Sequence, residues 1–210
     1  MFRHVIWDFD GTLFNTYPGV AHTFLKILKE QHGKEFKYED VLKWSKYSLK
    51  LCAENLSEDI NTDQTALIEA FHEEYMSNGA PIEEPPFAGA KEMCELVDEQ
   101  GGLNLLVTHR GGMTLRRLLE KYNMKKHFKE LISRDEDFPR KPDPAAFLYL
   151  IDKYNLDKEN ILAIGDRELD VKAAHNAGIT ACYFSPNGEK YEESDYNIDY
   201  LGKLESILTK

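Results

Sequence analysis

The sequence predicts an α/β protein: a parallel sheet with helices on both faces, plus a small all-helical domain inserted after the first strand. Three observations carry that prediction. From residue 87 onward, short apolar runs alternate with amphipathic stretches of helical period, as strands and crossover helices do in parallel sheets. Residues 17 to about 80 show helical patterns and no convincing strand. Asn78-Gly79-Ala80-Pro81 and Glu84-Pro85-Pro86 form a joint rich in breakers, where the chain would return to the sheet. The expected domains are residues 1–16 with 87–210, and residues 17–86 including that hinge.

The first strand is the apolar run Val5-Ile6-Trp7, which leads into Asp8-Phe9-Asp10-Gly11-Thr12. Side chains of a strand alternate with period two, so Asp8 and Asp10 project to the same side, and Gly11 permits a sharp turn after them. In the inserted domain, residues 20–31 carry Val20, Phe24, Leu25, Ile27 and Leu28 at helical spacing, and His32-Gly33 closes that helix. Residues 38–52 and 65–76 give two further amphipathic helices, the second preceded by N-cap residues Asn61-Thr62-Asp63. Beyond the hinge, helix 89–100 is stopped by Gly101-Gly102, and strand 103–108 and helix 113–122 follow. Next come a weaker strand 130–133, a helix 144–154 with proline in its first turn, and strand 161–164. Helix 169–177 closes at Gly178, strand 180–184 follows, 187–199 reads as a polar loop, and 200–208 as a final helix.

Composition narrows the classes of function. A chain of 210 residues, 42% hydrophobic and 30% charged, can bury a full core. Its net charge of −11 argues against a general nucleic-acid or anionic-membrane surface, although a metal ion and a few local cations could still seat an anionic substrate. Cys52, Cys94 and Cys182 are odd in number and widely spaced, so they read as buried small hydrophobes in a reducing compartment. No run is long enough for a membrane span, and acids at positions 8 and 10 interrupt any leader-like apolar stretch. A cytoplasmic protein is expected, with its oligomeric state, monomer or homodimer, left open.

In open parallel sheets, functional groups collect beyond the carboxyl ends of the strands. Those positions here hold Asp8 and Asp10, then Thr108-His109-Arg110, then Arg140-Lys141-Pro142-Asp143, then Gly165-Asp166-Arg167-Glu168-Leu169-Asp170. A carboxylate pair, a hydroxyl, a lysine and a second acidic cluster are thus expected on one edge.

In these residues, taken in order and over essentially the whole chain, the sequence resembles the haloacid dehalogenase (HAD) superfamily. It is most similar to the phosphatase branch with a helical (C1-type) cap, the phosphoglycolate-phosphatase-like and β-phosphoglucomutase-like group. Asp8-Phe9-Asp10-Gly11-Thr12 matches the first motif, Thr108 the second, Lys141 the third and Gly165-Asp166…Asp170 the fourth. The resemblance implies a Rossmann-like core and hydrolysis of a small phosphate ester through an aspartyl-phosphate. It assigns Asp8 as nucleophile and Asp10 as acid and then base, with Thr108 and Lys141 as substrate-binding residues; His109, directly after Thr108, is a further candidate for substrate contact. It also implies Mg²⁺ held by Asp8, the Asp10 carbonyl and Asp166, with Asp170 as a further ligand or an orienting neighbour.

Asp10 favours phosphoryl chemistry, because branches of the superfamily acting on carbon–halogen or phosphonate bonds typically lack it. A sugar-phosphate mutase of the β-phosphoglucomutase type is the nearest alternative. Val20 stands where that group carries a histidine, and Asn15-Thr16-Tyr17-Pro18 looks more like the phosphoglycolate-phosphatase group. A binding or regulatory protein on the same fold is the third reading, and no motif residue is missing to favour it. Within the insert, Lys43, Lys46 and Lys50 read as one solvated helical face, or else as a basic patch for an anionic substrate. Arg110 and Arg167 are further candidates for substrate contact.

Overall fold

The computed structural model describes residues 1–209. It divides into two compact units, Met1–Phe14 with the chain from Pro86 onward, and Asn15–Pro85.

The first unit is built on six parallel strands: β1 (His4–Trp7), β2 (Asn104–Val107), β3 (Phe128–Ile132), β4 (Ile161–Gly165), β5 (Thr180–Phe184) and β6 (Tyr196–Ile198), in the order β3-β2-β1-β4-β5-β6. β1 is central because its residues suit burial on both faces. Val5 and Trp7 enter one core with Leu106, Leu162, Ile164 and Phe184, while Ile6 enters the other with Leu105, Val107 and Ala163. Helices α5 (Ala90–Glu99), α6 (Gly112–Lys121) and α9 (Glu205–Leu208) cover the first face. Helices α7 (Ala145–Lys153) and α8 (Glu168–Ala177) cover the second. The order reverses across β1, and such a reversal opens a crevice at the carboxyl ends of the strands.

The second unit is helical: α1 (Tyr17–His32), α2 (Tyr38–Tyr47), α3 (Leu49–Ile60) and α4 (Gln64–Asn78). Val20, Phe24, Ile27, Leu28, Val41, Leu56, Leu67 and Phe71 form its core. Asp63 caps α4 by accepting from the Thr65 and Ala66 amides. Glu84 is buried and accepts from the Tyr75 hydroxyl. Gly19 gives it room, since a Cβ there would lie 2.6 Å from Glu84 Oε1.

Four expectations are corrected. Residues 38–52 are not one helix: Ser48 is extended and its hydroxyl accepts from the Leu51 amide, so it ends α2 and starts α3. Lys43 and Lys46 consequently lie on α2 and Lys50 on α3, so the lysine row is not one continuous face. The stretch 187–199 contains β6, whose two exposed residues hid it from pattern reading. Asp195 secures it, accepting from the Ala181 amide at 2.8 Å and lying 2.9 Å from His175 Nε2. The final segment, expected as a helix over 200–208, is a 3₁₀ turn at Leu201–Leu204 followed by α9. All three cysteines are free and buried. Among the described residues no helix is long and apolar enough to cross a membrane.

Candidate active site

β1 carries its burial one residue past its end. Asp8 is 3% exposed, and its amide donates to the Ile164 carbonyl of β4 at 2.9 Å. The carboxylate does not stay unpaired there: Lys141 Nζ lies 2.6 Å from its Oδ1. The same ammonium lies 2.5 Å from Asp170 Oδ1 and donates to the Val107 carbonyl at 3.1 Å. Asp170 reaches this point from the first turn of α8, with its Oδ2 accepting the Arg167 amide at 3.1 Å. Gly165 makes that approach possible, since a Cβ on it would lie 2.2 Å from the Asp170 Cβ. Behind the trio the lining is apolar, with Phe147, Ala163, Ile164 and Val171.

Asp166 joins from the end of β4, and one oxygen each of Asp8, Asp166 and Asp170 lies within 4.8 Å of the others. Thr12 stands between two of them, its hydroxyl 3.3 Å from Asp8 Oδ2 and 3.2 Å from Asp166 Oδ1. Three carboxylates therefore gather at one point, two of them on Lys141, with Arg167 also acting on Asp8. Burial raises the Asp8 pKa and Asp170 adds to it, against the pull of Lys141, and the result is about 6. For Lys141 burial acts in the opposite sense, but the attraction of Asp170 and Asp8 outweighs it and the pKa is raised. The ammonium stays charged. Three carboxylates that each bring a hard oxygen to one point fit a small divalent cation.

Asp10 sits apart from this trio. Its Oδ1 accepts from Arg110 Nε at 2.8 Å and Nη2 at 2.7 Å. Arg110 is also a candidate for substrate contact, and nothing in its residue type or position points to this carboxylate partner a hundred residues away. Thr108, buried at the end of β2, accepts the Arg110 amide on its hydroxyl at 3.1 Å. His109 points to the main chain of the next loop, where its Nε2 accepts the Lys141 amide at 3.1 Å. Burial, with Lys141, Arg167 and Arg140 nearby, lowers the His109 pKa to about 4. The ring is thus neutral at ordinary pH and able to accept that bond. Sequence reasoning also missed Thr12 as the bridge between Asp8 and Asp166, although its place in the first motif was the available signal.

Residues 5–184 match the family model of the haloacid dehalogenase-like hydrolases. The phosphoglycolate phosphatase of Mannheimia succiniciproducens is 30% identical over 189 residues, covering 86% of this chain and 84% of that one. The pyrophosphatase PpaX of Bacillus mycoides is 25% identical over 211 residues, covering 98% and 96%. In three dimensions the fold matches the crystal structure of a "predicted phosphoglycolate phosphatase" from Haemophilus somnus. The TM-score is 0.85 and the identity 23%, over 100% of this chain and 98% of that one.

Proposed function

The chain belongs to the haloacid dehalogenase-like hydrolases, and from that premise we propose that it is a Mg²⁺-dependent phosphatase acting on a small phosphorylated metabolite through an aspartyl-phosphate on Asp8. One observation carries the reading: Asp8, Asp166 and Asp170 converge at the carboxyl edge of the sheet, with Lys141 on two of them. The names of several relatives favour phosphoglycolate as the substrate class.

In this reading Asp8 attacks the phosphorus atom and the ester oxygen departs. Asp10 gives that oxygen its proton and then takes one from the water that cleaves the acyl phosphate. Lys141 holds the Asp8 carboxylate by its Oδ1 and brings positive charge to the transferring group. Thr108 contributes its hydroxyl proton to a phosphoryl oxygen, and its own orientation is held by the Arg110 amide. Asp170, with one oxygen on Lys141 and the other on the Arg167 amide, serves mainly to orient the lysine. Asp8, the Asp10 carbonyl and Asp166 would hold the divalent cation, which when bound supplies the charge that lets two anions meet. His109 holds the Lys141 main chain in place. The helical unit, Asn15–Pro85, is assigned to the choice of leaving group.

The test is turnover of p-nitrophenyl phosphate with Mg²⁺ and after chelation, followed by kcat/KM on a panel of 2-phosphoglycolate, sugar phosphates and pyrophosphate. Turnover that is lost on chelation and restored by Mg²⁺ is expected. No turnover in either state would replace this reading with that of a binding protein. Conversion of one sugar phosphate to an isomer, without release of phosphate, would replace it with a mutase.

A further inference from the structure

A lysine that serves a transferring phosphoryl group must keep its ammonium in one place at the end of a flexible four-carbon stem. Its carboxylate partners hold it by charge, Asp8 at 2.6 Å and Asp170 at 2.5 Å. In the proposed reaction Asp8 forms a bond to phosphorus and gives up its charge, so that hold changes as the reaction runs. Two other bonds of Lys141 do not change. Its Nζ donates to the Val107 carbonyl at 3.1 Å, and its amide donates to His109 Nε2 at 3.1 Å. The residue is thereby gripped at both ends by two positions at the end of β2.

The grip is built on a rigid element. β2 carries its ladder one residue further, the Thr108 amide donating to the Ile132 carbonyl at 2.9 Å. His109 itself is fixed in one tautomer. A backbone amide can only donate, so Nε2 is the bare nitrogen and the ring proton sits on Nδ1. Burial, with the charges of Lys141, Arg167 and Arg140, keeps the ring neutral at ordinary pH. Elsewhere the loop is fastened by Asn176 Nδ2 on the Pro142 carbonyl at 3.0 Å and by the Asp143 amide on the Arg140 carbonyl at 3.1 Å. Neither bond is made to Lys141.

We propose that His109 is the positioning residue of Lys141: as a neutral acceptor it holds the lysine's amide and, together with the Val107 carbonyl on Nζ, sets where the ammonium meets the phosphoryl group. It acts on the reaction only through Lys141. The inference rests on the reading of Lys141 as the cation of phosphoryl transfer. A histidine that instead touched substrate would matter whether or not the lysine were present.

The quantity to compare is kcat/KM on p-nitrophenyl phosphate with Mg²⁺. His109→Phe keeps a ring and removes the acceptor, and it should lower kcat/KM about 100-fold, the scale on which a displaced catalytic group loses its effect. His109→Gln can offer an amide oxygen at much the same reach as Nε2, and it should stay within about fivefold of wild type. In a Lys141→Ala background His109→Phe should cost less than about threefold, because a residue acting only through Lys141 has no ammonium left to place. If His109→Phe does not fold, His109→Ala carries the same comparison. If the Lys141→Ala background shows no turnover, the contrast between His109→Phe and His109→Gln decides. No loss in His109→Phe, an equal loss in His109→Gln, or a loss that persists in full without Lys141 would overturn the inference. Wild-type protein inert towards the ester would mark failure of the phosphatase reading itself, and Lys141→Ala as active as wild type would mark failure of the lysine's part in it. The inference would fall with either.

Discussion

The two units differ in how far along the chain their buried polar groups reach for partners. In the helical unit, Thr23 donates to the Gly19 carbonyl at 2.8 Å, Ser45 to Val41 at 2.8 Å and Ser57 to Glu54 at 3.0 Å. Each of these carbonyls lies three or four residues back on the same helix, so the bond is made locally, although Ser45 also lies 3.6 Å from Cys52 Sγ on the next helix. Glu84, reached by Tyr75, shows that the unit also has a bond between its elements. In the sheet unit Thr114, Ser133 and Ser185 also bond within four residues, but Lys141 to Asp8, Arg110 to Asp10 and Trp7 to Asn104 are bonds from far along the chain. Distance in sequence is not by itself a sign of chemistry. The Trp7 indole donates to Asn104 Oδ1 at 2.8 Å, and Asn104 in turn donates to the Cys94 carbonyl and to Asp98. That network matches donor to acceptor and needs no ligand. What sets the carboxyl edge apart is crowding of like charge: three carboxylates meet within 4.8 Å, two of them on Lys141 and with Arg167 nearby. Holding like charges together costs stability, and a cation seated among them offsets that cost.

The sharpest way to break this contrast is at Asp8. Asp8→Asn keeps the shape and removes both the nucleophile and one of the crowded charges. Turnover should fall at least about 10⁴-fold while the fold is kept. Steady-state hydrolysis near the wild-type rate, by a sample shown free of deamidated protein, would remove Asp8 from the chemistry. Gly165→Ala attacks the same cluster through space. The added Cβ would lie 2.2 Å from the Asp170 Cβ, so α8 must shift or Asp170 must leave Lys141. We expect about 100-fold lower kcat/KM and about 1–3 kcal/mol lower stability, read by urea unfolding. Unchanged kinetics would mean that the Asp170–Lys141 contact is not needed.

The same contrast explains what the sequence disclosed. Strands whose side chains are buried on both faces read as short apolar runs, and the residues after them are forced to the carboxyl edge. Asp8, Thr108, Lys141 and Asp166 could be placed there from β1, β2, the loop before α7 and β4 alone. Arg110 could not be matched to Asp10, because the pairing depends on two loops meeting a hundred residues apart and leaves no periodic trace. Asp170 was legible as an acid one turn into a helix, but its approach to Lys141 depends on the missing side chain at Gly165. In the helical unit the amphipathic pattern showed helices yet passed through Ser48, because a single extended residue does not interrupt a run of well-spaced apolar positions. β6 was hidden by its length of three residues.

Acid stability sharpens the comparison at a smaller scale. The Asp8 pKa stands at about 6 in the folded protein against an ordinary 3.8, so the fold holds this proton more tightly than the unfolded chain does. Its contribution to stability is fully present below about pH 4 and is lost as pH rises through 6. Asp8→Asn removes that dependence. For chelator-treated protein, the stability of the variant relative to wild type should therefore climb between pH 4 and 6, by at most about 3 kcal/mol, and level off above pH 7. His109 runs the other way: with its pKa lowered to about 4, its contribution is present above 6.5 and is lost as pH falls through 4. Both proteins carry His109, so it cancels in the difference. A difference that stays flat across this range would show that Asp8 is held no differently from a solvated carboxylate, and the account of Asp8 as a desolvated, crowded carboxylate would fail.

The smallest expected effect lies in the helical unit and tests the other half of the contrast. Thr23 is fully buried, and its hydroxyl donates to a carbonyl four residues back. Valine has nearly the same shape, and the Gly19 carbonyl it would leave behind lies within the same helix, where it can still accept from the backbone. Thr23→Val should therefore change stability by less than about 1 kcal/mol and leave kcat/KM within about twofold of wild type. The stability limit follows from losing one redundant bond; the kinetic limit follows from the hydroxyl having only a local partner. A tenfold fall in kcat/KM with unchanged stability would show that a locally satisfied hydroxyl takes part in function, and the account of Thr23 as a purely local donor would no longer hold.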